Sequence, residues 1–272
     1  MTFEFFDSLM HIKVDQKWYK TEKRADVEII KSFHSAGELK GGVVACMPDD
    51  DPADIAEITN KELPFCYLVI SIKKEWLSYS KNKLKEIFNK FKVQYRAIGI
   101  KIHPRFSQLS LDNHDTVDRV IGAAHECGLL VYVCTILRAP VGPNPSLPHY
   151  YIAKIAERNQ KGDIVFLHGG YTDVFHTGEV IRDYPNAWLD LSFTFMRFRK
   201  SALALDCGYL IETLDQKVMI GTDFPEYTPR QLFEELDRYV FQRSDLELSQ
   251  EKIQNLLGRN IEKLVKKYAS GN

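Results

Sequence analysis

The chain has almost no net charge. Over 272 residues, 36 Lys and Arg stand against 37 Asp and Glu, a formal −1. So even a balance provides neither the basic face that nucleic acid needs nor an acidic tail. No apolar run approaches the ~20 residues of a membrane-spanning helix. The stretch Met1–Asp7 lacks a basic segment followed by a long apolar core, so no signal peptide is expected. Cysteine is scarce and unpatterned: Cys46, Cys66, Cys127, Cys134 and Cys207, with no Cys-x-x-Cys. An odd, scattered set suits reduced thiols and therefore a cytoplasmic location. There is no internal repeat and no linker, so one domain is expected over residues 1–272. The expected partner is a small-molecule substrate, with no nucleic acid and no membrane; a homodimer is left open.

What the chain does have is alternation. Short apolar runs recur at Phe3–Asp7, Val43–Met47, Tyr67–Ile72, Ala97–His103, Leu129–Cys134, Asp163–His168, Trp188–Ser192 and Lys217–Gly221. Between them lie stretches with helical periodicity: Thr21–His34, Ala53–Asn60, Lys81–Lys92, Asn113–Cys127, His149–Asn159, Phe175–Asp183 and Ser201–Thr213. Two more helices, Pro229–Tyr239 and Ser249–Tyr268, close the chain. Continuous apolar strands separated by helices call for a parallel sheet covered by helices. Eight such units fit a (β/α)8 TIM barrel, which takes ~250 residues; a doubly wound open sheet is the alternative. The acidic run Asp49-Asp50-Asp51 reads as a solvated loop and helix start.

A parallel barrel does its chemistry where strands exit, at its C-terminal face. The polar residues expected there are Asp7 and His11, Lys101 and His103, Cys134, His168, Ser192 and Asp223. Asp223 ends the apolar run Val218-Met219-Ile220. Gly221 lets the backbone bend or be closely approached, and Pro225 forbids further pairing. Lys101 and His103, two apart, share a strand face. Gly169 and Gly170 let a ligand or backbone approach His168. Arg138 follows the fifth strand as an anion anchor. Trp18, Tyr19, Tyr150 and Tyr151 could close over a planar substrate, packing being the alternative reading for them.

Several segments in order carry a resemblance: Phe6-Asp7-Ser8-Leu9-Met10-His11, Ile98-Gly99-Ile100-Lys101-Ile102-His103-Pro104, Phe166–Gly170, Tyr184–Ser192, Ile220–Pro225 and Leu256–Leu264. The chain resembles the amidohydrolase-related branch of the metal-dependent hydrolases, a group that includes decarboxylases of aromatic acids. The resemblance implies a metal site built from a first-strand Asp-x-His-x-His motif, a fifth-strand His and the eighth-strand Asp. Here His11 matches the second ligand of that motif, His168 the sixth-strand His and Asp223 the eighth-strand Asp. Leu9 stands where the first His belongs, and Cys134 where the fifth-strand His belongs.

Two arrangements are open. His11, Cys134 and Asp223 would hold one divalent metal, zinc being the natural choice, since three protein ligands suffice for a catalytic zinc. Alternatively the site works without metal, with Asp223 as the base on water. The expected function is hydrolysis of a small lactone, ester or amide carbonyl. Asp223 would be general base and His168 would polarise the carbonyl or orient water. His103, Lys101, Arg138 and Ser192 would contact substrate. The alternatives are a metal-assisted decarboxylase of an aromatic acid, or a catalytically idle barrel that binds a ligand.

Overall fold

The computed structural model describes residues 5–136 and 146–270. Eight strands lie side by side in sequence order and all pair in parallel: β1 Phe6–Met10, β2 Gly41–Ala45, β3 Cys66–Ser71, β4 Ala97–Ile102, β5 Leu130–Cys134, β6 Ile164–Leu167, β7 Ala187–Asp190 and β8 Val218–Met219. Helices return the chain between strands, as the parallel pairing requires. This is the (β/α)8 barrel expected from the alternation.

The apolar residues form two layers. Leu9, Val43, Ala45, Val69, Ile98, Leu130, Tyr132, Val165, Leu167 and Met219 form a cluster that also includes Ile261, Leu264, Val265 and Tyr268 of the last helix, Asn260–Ala269. A larger cluster joins the other strand residues to the helices, among them Ile30, Ile55, Phe88, Val120, Ile152, Ile181 and Leu210. Strand residues thus meet apolar neighbours in both layers. That is why the strands read as continuous apolar runs rather than alternating ones.

The barrel closes through a side chain as much as through backbone. One bridge, Met10 to Phe224, joins the end of β1 to the segment after β8, with His11 N–H donating to the Phe224 carbonyl at 2.8 Å. Beneath it the Asp7 carboxylate accepts from Thr222 N–H at 3.0 Å and the Thr222 hydroxyl at 2.6 Å. Gly221 makes that seam possible. A Cβ there would fall 2.5 Å from Asp7 Oδ1 and 2.7 Å from both Leu9 N and Ser8 Oγ. Asp7 is therefore a wholly buried strap near the start of β1, not the strand-end acid that the sequence suggested.

Helix starts follow local chemistry. Asp51 caps Pro52–Glu62, Ser80 caps Lys81–Tyr95, and Thr228 with Gln231 makes a capping box for Pro229–Leu236. Asp49 and Asp50 are satisfied by Lys13 Nζ at 2.8 and 2.7 Å, in keeping with a loop-and-cap role for the acidic run. The first helix is shorter than its periodicity predicts: it spans Val27–Ser35 with Asp26 as cap, and residues 21–26 belong to the loop over the site. The last two helices are each interrupted by a wider turn, at Asp237–Phe241 and Asn255–Arg259.

Candidate active site

A cavity of about 230 Å³ opens at the C-terminal face. It is lined by His11, Lys101, His103, His168 and Asp223, with Trp18, Tyr19, Phe106 and Phe193 as aromatic walls and Arg105 and Glu226 near the rim. A larger cavity, about 690 Å³, lies at the other end of the barrel between strand starts and the last helix, beside Phe6, Phe65, Tyr67, Arg96 and Lys266. Convergent buried polar groups favour the smaller one, and barrel chemistry sits at the C-terminal face.

His11 is the hub. Its Nδ1 lies 2.5 Å from the Ala45 carbonyl, which can only accept, so Nδ1 carries the proton and Nε2 faces inward. Lys101 Nζ lies 3.2 Å and Asp223 Oδ1 3.3 Å from that Nε2. Trp18 stacks on the imidazole, with centroids 5.3 Å apart, and its indole N–H donates to Glu226. Burial, with Lys101 beside it, lowers the His11 pKa. Burial likewise lowers that of Lys101, against the pull of Cys134, Asp223 and Asp190. For Asp223 burial acts upward, but the His11 contact and the charges of His168, His11 and Lys101 override it and hold the carboxyl at about 2.

His168 is fixed in the same way. Its Nδ1–H donates to the Ser192 carbonyl at 3.0 Å, leaving Nε2 as an acceptor. Burial brings its pKa down to about 4, so the imidazole is neutral at pH 7. His168 has φ 66° and Asp223 φ 50°. The wall residues Tyr19 and Phe193 also have positive φ, 50° and 62°, and such backbone at four non-glycine residues of one site is costly and persists only where the surroundings enforce it. Gly169 and Gly170 continue the turn with φ 55° and 75°.

Two buried carboxylates support this layer. Asp190 accepts from the Ser8 and Ser192 hydroxyls and from Ser192 N–H at 3.1 Å. Burial raises its pKa to about 6 and that of Asp7 to about 7.

A profile of the amidohydrolase family matches residues 3–267. The chain belongs to the amidohydrolase family. No curated protein matches it by sequence. Among solved structures the chain is similar to a probable 2-pyrone-4,6-dicarboxylic acid hydrolase from Acinetobacter baumannii with citric acid bound. The identity is 12%, coverage 98% of this chain and 100% of the other, and the TM-score 0.66. It is similar to 5-carboxyvanillate decarboxylase from Novosphingobium aromaticivorans, complexed with manganese and 4-hydroxy-3-methoxy-5-nitrobenzoic acid, at 11% identity, 97% and 96% coverage and TM-score 0.66. A zinc-bound amidohydrolase from Burkholderia multivorans matches at 13% identity, 97% and 99% coverage and TM-score 0.61. At these identities the likeness is one of fold.

Proteins of similar fold are thus solved with zinc or manganese. The residues here do not fit the expected three-ligand centre. Leu9 is fully buried within the inner apolar cluster. Cys134 Sγ sits 3.8 Å from His103 Nε2, and burial raises its thiol pKa, which opposes a thiolate ligand. The donors of His11, Cys134 and Asp223 do not form a convergent set; among the described residues the one such group is elsewhere, at His149, Asp173 and His176. Above all, Lys101 Nζ lies 3.2 Å from the inward nitrogen of His11 and engages the lone pair that a metal would need.

The structure thus brings His11, Lys101, His103, His168 and Asp223 together at the cavity, as the strand-end argument expected. Ser192 lies beneath it, fully buried and absent from the lining, where its carbonyl orients His168. Arg138 lies outside the described residues. Tyr151 is buried in the core and Tyr150 is exposed, whereas Trp18 and Tyr19 do wall the cavity. Sequence reasoning missed Arg105, which follows His103 and Pro104 in a single helical turn, and missed Asp190, which ends β7 but lies inside the longer strand Trp188–Ser192 that the sequence suggested.

Proposed function

We propose that this amidohydrolase hydrolyses a small, anionic ester, lactone or amide without a bound metal. The observation that carries this is Lys101 Nζ 3.2 Å from His11 Nε2, beside an ionised Asp223, in a cavity at the C-terminal face. Lys101 is the electrophile: its N–H groups polarise the substrate carbonyl and neutralise the developing oxyanion. Asp223 takes the proton from water, and neutral His168 holds that water by accepting through Nε2. With Nδ1–H tied to Ser192, His168 has no proton to offer a carbonyl, so it orients water and Lys101 polarises. A base with a pKa of about 2 is ionised at every working pH but intrinsically weak, so positioning and Lys101 must supply much of the rate.

The cavity is smaller than the ~300–1,000 Å³ of drug-sized sites, which limits the substrate to a few carbons beyond the reacting group. Arg105 by the cavity suits a substrate carboxylate. His103 Nδ1, buried with no protein partner among the described residues, supplies a further polar contact. Decarboxylation would need a metal set that these residues do not assemble, so it ranks behind hydrolysis.

The test is a panel of small lactones and esters with and without a carboxylate, assayed with chelator-treated protein. Activity retained after chelation and lost in Asp223→Asn supports the reading. Activity that returns only with added metal, or that survives Asp223→Asn, refutes it.

A further inference from the structure

Outside the cavity, three side chains from three segments meet at the same face of the barrel. His149 opens the helix Pro148–Arg158, Asp173 ends the turn after His168, and His176 sits in the first turn of the helix Val174–Asp183. His149 Nδ1 lies 2.7 Å from Asp173 Oδ2, and His176 Nδ1 lies 2.8 Å from Asp173 Oδ1. Each carboxylate oxygen thus faces one imidazole nitrogen, and all three donor atoms lie within 4.8 Å of one another. His149 N–H also donates to Asp173 Oδ2 at 2.9 Å, which holds the carboxylate in place.

We propose that His149, Asp173 and His176 form a binding site for a zinc-type divalent cation, separate from the reaction centre. The donor set is two imidazoles and a carboxylate, which suits zinc, copper or nickel better than calcium or magnesium. Ligand atoms about 2.0–2.2 Å from a tetrahedral zinc lie roughly 3.3 Å apart, so the ion needs the present contacts to open by about half an ångström. It would replace the two protons that the imidazoles now share with Asp173, leaving its fourth position to water. The alternative is a cap: Asp173 accepts from an N–H of the first helical turn, and the imidazoles merely bond to it. A cap needs one N–H donor; it does not need two imidazoles turned onto the two oxygens of one carboxylate. The N-terminal dipoles of both helices oppose a cation, and Asp173 offsets them.

The site has a consequence for the turn that ends in it. His168, Gly169, Gly170 and Tyr171 all have positive φ, at 66°, 55°, 75° and 60°. Four such residues in succession are held only by their surroundings: His168 by Ser192, Gly170 N–H by Thr135 Oγ1 at 2.8 Å, and the far end by Asp173. A cation on Asp173 would tie the end of this strained turn to both flanking helices, and so steady the segment carrying His168.

The proposal is tested in chelator-treated Asp223→Asn protein, which removes an acid of the reaction centre, by titration with Co²⁺ followed by absorbance and with Zn²⁺ followed by melting temperature. One bound equivalent with tetrahedral cobalt bands, and a melting temperature raised by Zn²⁺, are expected. Adding His149→Ala and His176→Ala should weaken binding by at least about tenfold and abolish the rise. His176 has a 67% exposed side chain, so His176→Ala alone provides the same reading should the triple variant fold poorly. No binding up to millimolar Co²⁺, or an unchanged titration in the His176→Ala protein, overturns the site. Neither outcome bears on whether Asp223 and Lys101 hydrolyse a carbonyl.

Discussion

Replacing Lys101 with methionine separates the role of its charge from that of its bulk. The side chain is 1% exposed, and methionine keeps an unbranched stem of similar volume, so packing changes little. Two electrostatic effects oppose each other. Removing one member of a buried charge cluster costs about 3–5 kcal/mol when a partner is left uncompensated. Replacing buried charge by apolar volume is neutral, or stabilising by about 1–4 kcal/mol, when the remaining groups are satisfied. The second should win here. Burial lowers the Lys101 pKa despite Asp223 and Asp190 nearby, so folding disfavours the charged form. The folded protein releases that proton before the unfolded chain does. Stability from this group is therefore lowest below the lowered pKa, where both states hold the proton, and rises as pH passes through it. Asp223 meanwhile retains His11 Nε2 at 3.3 Å, and His11, freed of Lys101, titrates higher though burial still lowers it. We expect Lys101→Met to melt higher at pH 7, by roughly 2–4 °C per kcal/mol gained, while losing about 10²–10³ in kcat as an oxyanion partner is removed. Calorimetry from pH 6 to 9 with steady-state kinetics on the responsive ester measures both. A variant that melts several degrees lower and turns over normally would refute the assignment of Lys101 as a destabilising electrophile.

The acid limb of kcat/KM should fall near pH 4, because His168 must be neutral to hold water and burial keeps its pKa at about 4; a limb near 6.5 would mean that the imidazole is not desolvated as described. Asp7→Asn should flatten the pH dependence of stability. Its carboxyl, raised from 3.8 to about 7, favours folding fully below the unfolded value and loses that contribution, up to about 4 kcal/mol, as pH rises through 7. Urea unfolding at pH 5 and 7.5 reads this, and equal slopes in both proteins would contradict it. Gly221→Ala should cost about 1–3 kcal/mol or more, because its Cβ would meet the Leu9 backbone nitrogen at 2.7 Å as well as side-chain oxygens; an unchanged denaturation midpoint would show that the β1–β8 seam yields freely.

The barrel was legible because its strands are buried on both faces, which leaves an apolar run with no alternation to misread. Strand ends were less so. The first strand is shifted toward its C-terminus, with an irregularity between Asp7 and Met10, and this turned Asp7 from a strand-end acid into a seam strap. Apolarity marks burial; it does not mark register. The site was legible where side chains follow strand exits, as with His11, Lys101, His103, His168 and Asp223. It was not legible where function depends on partners distant in sequence. Asp190 matters through a hydroxyl 182 residues away, and Ser192 meets His168 through its carbonyl while its hydroxyl turns to Asp190. Cys134 has no local signal for its direction; its sulfur meets His103 only because β4 and β5 are neighbours. The departures at Leu9 and Cys134 then cease to be two separate losses. An apolar residue in place of one ligand, a buried thiol in place of another, and a lysine amine set against His11 Nε2 occur together at one site, where the family pattern leads one to expect metal ligands.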